Sequence, residues 1–230
     1  MFSAPIQEND LIVFGGGGHG RALIEVIRAM GIYRVVGVVD DHLLPSSVVL
    51  DVPVLGPASI LPQIYTAGVH LAVNGVGGIG NPHSRWDVFM QLEQQGFHFP
   101  VIIHPSACIE PSAQLADGVQ IFQFAYVGTE AMIGKGTVIN IHAVVPHDSH
   151  VGICANFSPG ALLAGTVSIG DFTQVGMGAT INLNLKIGKH VRIGNNATVK
   201  ADVPEGTVVR AGTIWPLSGS PRTENSIKGE

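Results

Sequence analysis

His147 and Asp148 are the adjacent side chains in this sequence with the clearest capacity for chemistry. An imidazole titrates near neutral pH, so His147 is suited to accept a proton from an attacking nucleophile. A carboxylate beside the ring can hold it in one tautomer and stabilise the imidazolium that forms. Successive residues of a strand point to opposite faces. The two side chains can therefore cooperate only if the chain turns at this point.

A run of glycines near the N-terminus forms a second candidate site. It follows the apolar residues 11–14, includes His19 and precedes a helical stretch at 21–30. Glycine lets the backbone approach a phosphate, and the unpaired N–H groups of a helix N-terminus favour an anion. Asp40 and Asp41 follow at about the twenty-residue offset where a carboxylate can reach a ribose or base. The pattern favours a nucleotide site, although a turn that only packs helix on strand shows the same glycines.

The elements that must position His147 follow from a six-residue period. Stepping by six from Ile103 to Val199 passes seventeen positions, of which sixteen are aliphatic and one is Phe157. Small residues often stand four positions after these anchors, and glycine often follows them directly. This period predicts a short strand and a tight turn as one side of a prism, with three sides closing a coil of about eighteen residues. A β-sandwich or a chance apolar bias does not account for the unbroken register.

The coil length predicts which residues stack on one another. Counting eighteen residues from His147 reaches Gly165, so this glycine should lie one coil further on and leave free space beside the imidazole. The backbone N–H of Gly165 could then stabilise an oxyanion. Asn140, Ser158 and Gly176 form another predicted column.

The first hundred residues alternate between strands and helices, as is typical of an α/β fold. Strands are predicted at 11–14, 35–39, 71–74 and 97–101, and helices at 21–30 and 84–95. We therefore predict a Rossmann-like βαβ domain over 1–101, an all-β left-handed parallel β-helix over 102–217 and a disordered polar tail over 218–230. A nicotinamide-dependent oxidoreductase would use a similar loop, but the repeat begins before a second mononucleotide-binding half could form.

Composition and charge argue against several other classes. With 46% apolar and 13% charged residues, the chain can bury a sizeable core. The sequence has no 18-residue apolar run and no secretion pattern, so neither a membrane partner nor export is expected. A cytoplasmic location is predicted. A net charge of −5 argues against nucleic acid. Cys108 and Cys154 lack metal-ligand or disulfide spacing, so no metal is expected, and nothing beside Cys154 suggests a thiolate acyl carrier.

Four segments taken together resemble a known family. They are the GGGGHG loop, the strand end at 39–41, the HPSA sequence at 104–107 and the VPHD sequence at 145–148. The chain resembles the bacterial sugar acyltransferases that include sialic acid O-acetyltransferases and nucleotide-4-amino-sugar N-acetyltransferases. The likeness runs from about residue 11 to about residue 209. It implies an acetyl-CoA-dependent enzyme, a homotrimer with active sites between subunits, and an N-terminal domain that holds the nucleotide of the acceptor.

The resemblance also implies residue roles. The catalytic histidine and the acidic residue after it correspond to His147 and Asp148. The nucleotide-binding positions correspond to Gly18, His19, Gly20, Asp40 and Asp41. Asn140 corresponds to an acceptor-side asparagine, and the amide of Gly165 faces the thioester oxygen. Asn156, Met177 and Asn195 are the further positions assigned to coenzyme A.

Three segments depart from the family pattern. Asn156 stands where members often have a second histidine, so an amide side chain would make that contact with coenzyme A. The usual closing G-x-P-A-K segment is replaced by RAGTIWP at 210–216, which alters the binding of adenine and pantetheine. The glycine-rich loop at 74–84 indicates a remodelled acceptor pocket.

Three functions follow from these observations. The first is N-acetylation of a nucleotide-linked amino sugar for surface glycan biosynthesis, with His147 as the general base and direct attack on the thioester. The second is O-acetylation of a sialic acid or a related sugar, which could leave the nucleotide loop empty. The third is a non-catalytic hexapeptide-repeat scaffold.

Overall fold

The computed structural model describes Phe2 and residues 5–78 and 80–216. Its N-terminal part is a five-stranded sheet with the order β3-β4-β2-β1-β5. The strands are β1 (Asp10–Phe14), β2 (Arg34–Val39), β3 (Val48–Val49), β4 (Val52–Gly56) and β5 (Leu71–Asn74). The helices are α1 (Gly18–Met30), α2 (Leu61–Thr66) and α3 (His83–Gln94), with a 3-10 turn at Ala58–Ile60. All neighbouring strands are parallel except β3 and β4.

The local sequence explains the first βα unit. Every residue of β1 is buried, as expected for a central parallel strand that is covered on both faces. α1 buries one face, including Leu23 and Ile27, and it ends where Gly31 takes the left-handed conformation with φ 66°. The glycines between β1 and α1 therefore lie at the carboxyl edge of the sheet.

The second half of the chain is a prism with three parallel faces of 7, 7 and 5 two-residue strands. The first face contains Ile102–Ile103, Gln120–Ile121, Val138–Ile139, Asn156–Phe157, Gln174–Val175, Arg192–Ile193 and Val208–Val209. The second face contains Cys108–Ile109, Tyr126–Val127, Val144–Val145, Leu162–Leu163, Thr180–Ile181, Thr198–Val199 and Ile214–Trp215. The third face contains Gln114–Leu115, Met132–Ile133, His150–Val151, Ser168–Ile169 and Lys186–Ile187.

The predicted coil is present in the strand register. Tyr126 pairs with Cys108 on one side and with Val144 on the other, so partners are eighteen residues apart. The second residue of each strand points inward and contributes to one continuous core. The last coil is shorter, since Arg192 pairs with Val208, and this shift explains why the six-residue period ends at Val199. The predicted fold class, an α/β domain followed by a left-handed β-helix, is confirmed.

The N-terminal domain packs on the first face of the prism. Ile102, Phe122 and Val138 of the prism join the core beneath α1. Phe99 and Cys154 join the core that contains Phe89 of α3. Polar side chains that point outward from this face, such as those of Gln120 and Gln174, become buried as a result.

Several element predictions need correction. Residues 97–101 do not form a regular strand; only His98 pairs, as an isolated bridge to Leu71, and Pro100 has no N–H to extend a ladder. The β3–β4 hairpin and α2 were not predicted because each is too short to show a period. α1 begins at Gly18 rather than at residue 21. The predicted tail at 218–230 lies outside the described residues, and within those residues no helix has the length and apolarity to cross a membrane.

Candidate active site

His147 and Asp148 lie at the corner between the second and third faces. The imidazole Nδ1 and the carboxylate Oδ2 are 2.7 Å apart. Asp148 has a left-handed backbone with φ 56°, which turns its side chain towards that of His147. Aspartate is one of the residues that tolerates this conformation. Because the side chains are 58% and 55% exposed, both remain open to a substrate.

Gly165 lies against the imidazole, as the coil count predicts. The Thr166 N–H donates to the His147 carbonyl at 2.9 Å, which places the two corners one above the other. A Cβ on Gly165 would lie 2.5 Å from Cε1 of the ring and would also collide with Nε2. Because the carboxylate accepts the Nδ1 proton, Nε2 carries a lone pair and points to the space above Gly165. The corner thus offers a proton acceptor next to a surface without a side chain.

The glycine loop and Asp40 form a second structured site. The Asp40 carboxylate accepts N–H groups from Gly16 at 2.7 Å, His42 at 2.9 Å and Leu43 at 3.1 Å. Burial acts to raise the pKa of Asp40, but these hydrogen bonds hold the pKa below its usual value. Asp41 accepts the N–H of Ala58 at 2.8 Å. The first role of both carboxylates is therefore to shape the loops around the α1 N-terminus.

The N-terminal turn of α1 contains the predicted residues Gly18, His19 and Gly20. The first N–H groups of a helix have no partner within it and can bind an anion. The His19 side chain is directed elsewhere: its Nε2 lies 2.8 Å from Oε1 of Gln120 on the prism. Burial, reinforced by the charge of Arg85, lowers the pKa of His19 to about 4, so the ring is neutral. His19 can therefore offer its backbone N–H to a nucleotide, while its ring joins the two domains.

A cavity of about 420 Å³ lies on the first face and the corner that follows it. Its polar lining includes Asn156, Ser158, Gln174, Arg192, Asn195 and Arg210. Both arginines are exposed, and within residues 5–78 and 80–216 neither forms a salt bridge. Asn195 Oδ1 accepts the N–H of Met177 at 3.0 Å, which fixes this corner. Two unpaired guanidinium groups make the cavity suitable for a phosphorylated ligand.

The predicted site residues fall into separate groups within one chain. His147, Asp148 and Gly165 meet at one corner, whereas Asn140 lies at the corner on the other edge of the second face. Asn156 and Asn195 line the cavity near that other edge, with Met177 beside them. Three residues here were not predicted from the sequence: Gln120, Gln174 and Arg192. They occupy the outward position of a strand, where the six-residue period sets no residue type. Arg210 belongs to the segment 210–216, which was expected to alter the binding of coenzyme A.

The surroundings of Cys154 and the arrangement of possible metal ligands bear on two other kinds of chemistry. The Cys154 side chain is buried, and burial raises the pKa of its thiol to about 11. A thiol in that state is a poor nucleophile. Over the described part of the chain, no group of three or more His, Cys, Asp and Glu side chains is arranged to hold a metal ion.

Comparison with known proteins identifies relatives of both parts of the chain. Residues 10–92 match the family described as the PglD N-terminal domain. GDP-perosamine N-acetyltransferase of Escherichia coli O157:H7 is 28% identical over 175 residues, which is 74% of this chain and 76% of that protein.

Two solved structures share the fold. PerB from Caulobacter crescentus, in complex with CoA and GDP-perosamine, has a TM-score of 0.82 at 30% identity, covering 90% of this chain and 96% of that one. The acetyltransferase domain of PglB from Neisseria gonorrhoeae FA1090, in complex with acetyl coenzyme A, has a TM-score of 0.80 at 30% identity, covering 92% and 100%. The chain therefore belongs to the hexapeptide-repeat acyltransferase family that has a PglD N-terminal domain and includes the GDP-perosamine N-acetyltransferases.

Proposed function

We propose that this chain transfers an acetyl group from acetyl-CoA to the amino group of a nucleotide-linked sugar, in the cytoplasm and for surface glycan biosynthesis. The observation that carries the proposal is the corner where Asp148 holds His147 with Nε2 facing Gly165. The C. crescentus relative, whose complex contains CoA and GDP-perosamine, supports both substrates.

The chemistry needs a base and an oxyanion donor. A sugar ammonium must lose a proton before its nitrogen can attack, and Nε2 of His147 is the acceptor we assign to that proton. The nitrogen then attacks the thioester carbonyl carbon, and the Gly165 N–H stabilises the oxygen that becomes negative. When the C–S bond breaks, the imidazolium gives its proton to the sulfur, and the nitrogen releases its remaining extra proton to solvent, which leaves the neutral amide and free coenzyme A. Asp148 stabilises the imidazolium between these steps.

The cavity on the first face is the site we assign to coenzyme A. Arg192 and Arg210 would face its phosphates, and Asn156 offers an amide where relatives often have a histidine. Arg210 begins the segment that replaces the family's closing motif, so it supplies a positive charge in a chain that lacks the motif's lysine. A cavity of about 420 Å³ with two guanidinium groups fits the charge of this ligand.

The nucleotide of the acceptor is assigned to the N-terminus of α1. The loop is held in place by Asp40, and its N–H groups and helix dipole favour a pyrophosphate. A pre-shaped site for a pyrophosphate supports a nucleotide-linked acceptor over free sialic acid, which carries a carboxylate but no phosphate.

We also propose that the enzyme is a homotrimer with each active site between two subunits. The His147 corner and the cavity corner lie on opposite edges of the second face. Within a single chain, the base and the coenzyme site are therefore apart from each other. A neighbouring prism packed along this face would bring the two corners together. The face presents apolar side chains to solvent, with Leu162 42% and Ile214 54% exposed.

Release of coenzyme A should be measured with UDP-, dTDP- and GDP-linked 4-amino sugars and with free sialic acid. His147→Ala is the test variant, and His98→Ala, at an exposed position in the N-terminal domain, is the matched control. Turnover of an amino sugar that falls by about 10²-fold or more in His147→Ala alone supports the proposal. Turnover of sialic acid alone would replace it with O-acetylation. Full activity in His147→Ala would remove the assigned base.

A further inference from the structure

The segment 74–78 begins at the last residue of β5 and lies directly beside the nucleotide loop. The N–H of Gly75 donates to the carbonyl of Phe14 at 2.7 Å. A Cβ on Gly75 would lie 2.6 Å from the Gly15 carbonyl oxygen, so only glycine permits this approach. Gly77 continues the contact, since an added Cβ there would lie 3.8 Å from Cβ of His19. The segment therefore forms a wall of the cleft at the carboxyl ends of β1 and β5, where ligands of open α/β sheets bind.

Alternate carbonyls of this segment accept hydrogen bonds from three side chains. The Asn74 carbonyl accepts from Nε2 of Gln120 at 2.8 Å. The Val76 carbonyl accepts from Arg85 at 2.5 Å, and the Gly78 carbonyl accepts from Nε2 of Gln174 at 2.6 Å. Gln120 and Gln174 stand on the first face of the prism, three coils apart. The prism thus holds the wall of the cleft at both of its ends.

These bonds are shielded from water. Gln120 is 1% and Gln174 is 8% exposed, and Arg85 is 1% exposed. Arg85 also donates to the Gly136 carbonyl of the prism at 3.1 Å. Its guanidinium group is therefore hydrogen-bonded to neutral carbonyl oxygen atoms of both domains, while its Nε has no partner. When a buried donor of this kind is left without a partner, the protein is destabilised by more than the hydrogen bond had contributed to its stability.

The orientation of the Gln120 amide is fixed by its partners. Nε2 must face the Asn74 carbonyl, so Oε1 faces His19, whose Nε2 then carries the proton. The same oxygen lies 3.4 Å from Arg85. The nucleotide loop and the 74–78 segment are therefore joined through a single prism side chain.

We propose that Gln174 is a positioning residue for the acceptor sugar: it fixes the 74–78 segment against the prism as one wall of the acceptor cleft. This inference rests on the proposed function and adds to it the group that holds the acceptor side of the site. Gln174 binds the end of the segment that is furthest from β5, where the chain itself constrains the loop least. The same side chain also lines the coenzyme cavity, so it lies between the two substrates.

The test uses Gln174→Leu, which keeps the approximate size but has no donor, and Gln174→Glu, which can donate only when protonated. Gln91→Leu is the matched control, because it makes the same substitution at an exposed position on α3, in the domain that contains the 74–78 segment. Backbone amide exchange of residues 74–84 is measured first on the full-length protein. The KM and kcat values for the best amino sugar and for acetyl-CoA are measured next.

We expect amide exchange in the 74–84 loop to be about tenfold faster in Gln174→Leu, as for a loss of about 1.4 kcal/mol. The KM for the amino sugar should rise by a similar factor, and by more than the KM for acetyl-CoA, which can also change because Gln174 lines that cavity. In Gln174→Glu the KM defect relative to wild type should shrink as the pH is lowered, because the protonated carboxyl can again donate to the Gly78 carbonyl. This pH dependence would identify the hydrogen bond as the cause, and the unequal changes in the two KM values would separate positioning of the sugar from a general loss of structure.

Unchanged loop exchange in Gln174→Leu, or an equal rise in the KM for acetyl-CoA, would overturn the inference. If the wild-type protein acetylates no amino sugar, the proposed function fails, and the inference is then decided by loop exchange together with calorimetric binding of GDP and UDP. Faster exchange with weaker nucleotide binding in Gln174→Leu would uphold it, and any other result would not.

Discussion

Replacing Gly165 with alanine tests the geometry at the catalytic corner. The added Cβ would lie 2.5 Å from Cε1 of His147, whereas carbon atoms in contact are normally about 3.5–4.0 Å apart. The imidazole must therefore move by about 1 Å or more. The side chain is 58% exposed, so it can swing outward without disturbing the core. Alanine keeps the backbone N–H, and the oxyanion donor is retained.

A displacement of about 1 Å at a reacting group can lower the rate by about 10²-fold. We expect kcat for Gly165→Ala to fall by this factor, with an unchanged melting temperature. The assay is steady-state release of coenzyme A from acetyl-CoA, with the amino sugar that wild type uses best.

A double-mutant cycle with His147→Ala separates this mechanism from other effects of the methyl group. Once the imidazole is removed, the methyl group has nothing to displace, so Gly165→Ala should cost little more in that background. Independent, multiplicative losses in the double mutant would refute the reasoning. So would a Gly165→Ala enzyme with activity within about threefold of wild type.

Three further outcomes are expected. Arg192→Ala and Arg210→Ala should each raise the KM for acetyl-CoA by about tenfold and leave the KM for the acceptor unchanged, since a charged hydrogen bond contributes about 1.5 kcal/mol or more. The control is Lys200→Ala, which removes another exposed cation on the last coils. An equal rise in the KM for acetyl-CoA in this control would contradict the assignment. The pKa of His19 is lowered from 6.5 to about 4, so the unfolded chain binds the extra proton and the free energy of unfolding falls as the pH drops through that window. The free energy of unfolding should be measured with urea at pH 7 and at pH 5 for wild type and His19→Gln. Its decrease between the two pH values should be smaller in His19→Gln by up to about 2 kcal/mol, and an equal decrease in both proteins would count against a buried neutral imidazole. Ellman's reagent at pH 8 should modify no more than one thiol per native chain, that of Cys108, because burial raises the pKa of the Cys154 thiol to about 11. Cys108 is exposed in the single chain but stands on the second face, where the proposed subunit contact would shield it. Modification of both thiols before unfolding would show that Cys154 is accessible.

The prism could be predicted from the sequence because each coil places the same residue types at the same positions. Every sixth residue, such as Val145 or Leu163, points into the core and must be apolar, independently of the sequence outside the repeat. The β3–β4 hairpin could not be found in this way, since its strands of two and five residues occur once and leave no repeated period. The strand expected at 97–101 failed for a related reason: its apolar residues Phe97 and Phe99 are buried against helices instead of extending the sheet.

The candidate site was predictable only in part. The stacking of Gly165 on His147 follows from the coil length, and the structure has it. The direction of the His19 side chain does not follow from its place in a glycine loop, since it depends on a glutamine one hundred and one residues away. Gln174 and Arg192 gave no sequence signal, because the outward position of a prism strand accepts any residue until another domain or a ligand covers it.

The sequence by itself determined the prism, the βα unit with its glycine loop and the stacking of one glycine on one histidine. Each of these depends on contacts that recur at a fixed spacing along the chain, so the spacing is enough to predict them. Only the tertiary structure decided how the N-terminal domain lies on the first face and which donors hold segment 74–78. Those contacts join residues that are far apart in sequence and occur once, and their free energy depends on a burial that no local pattern encodes.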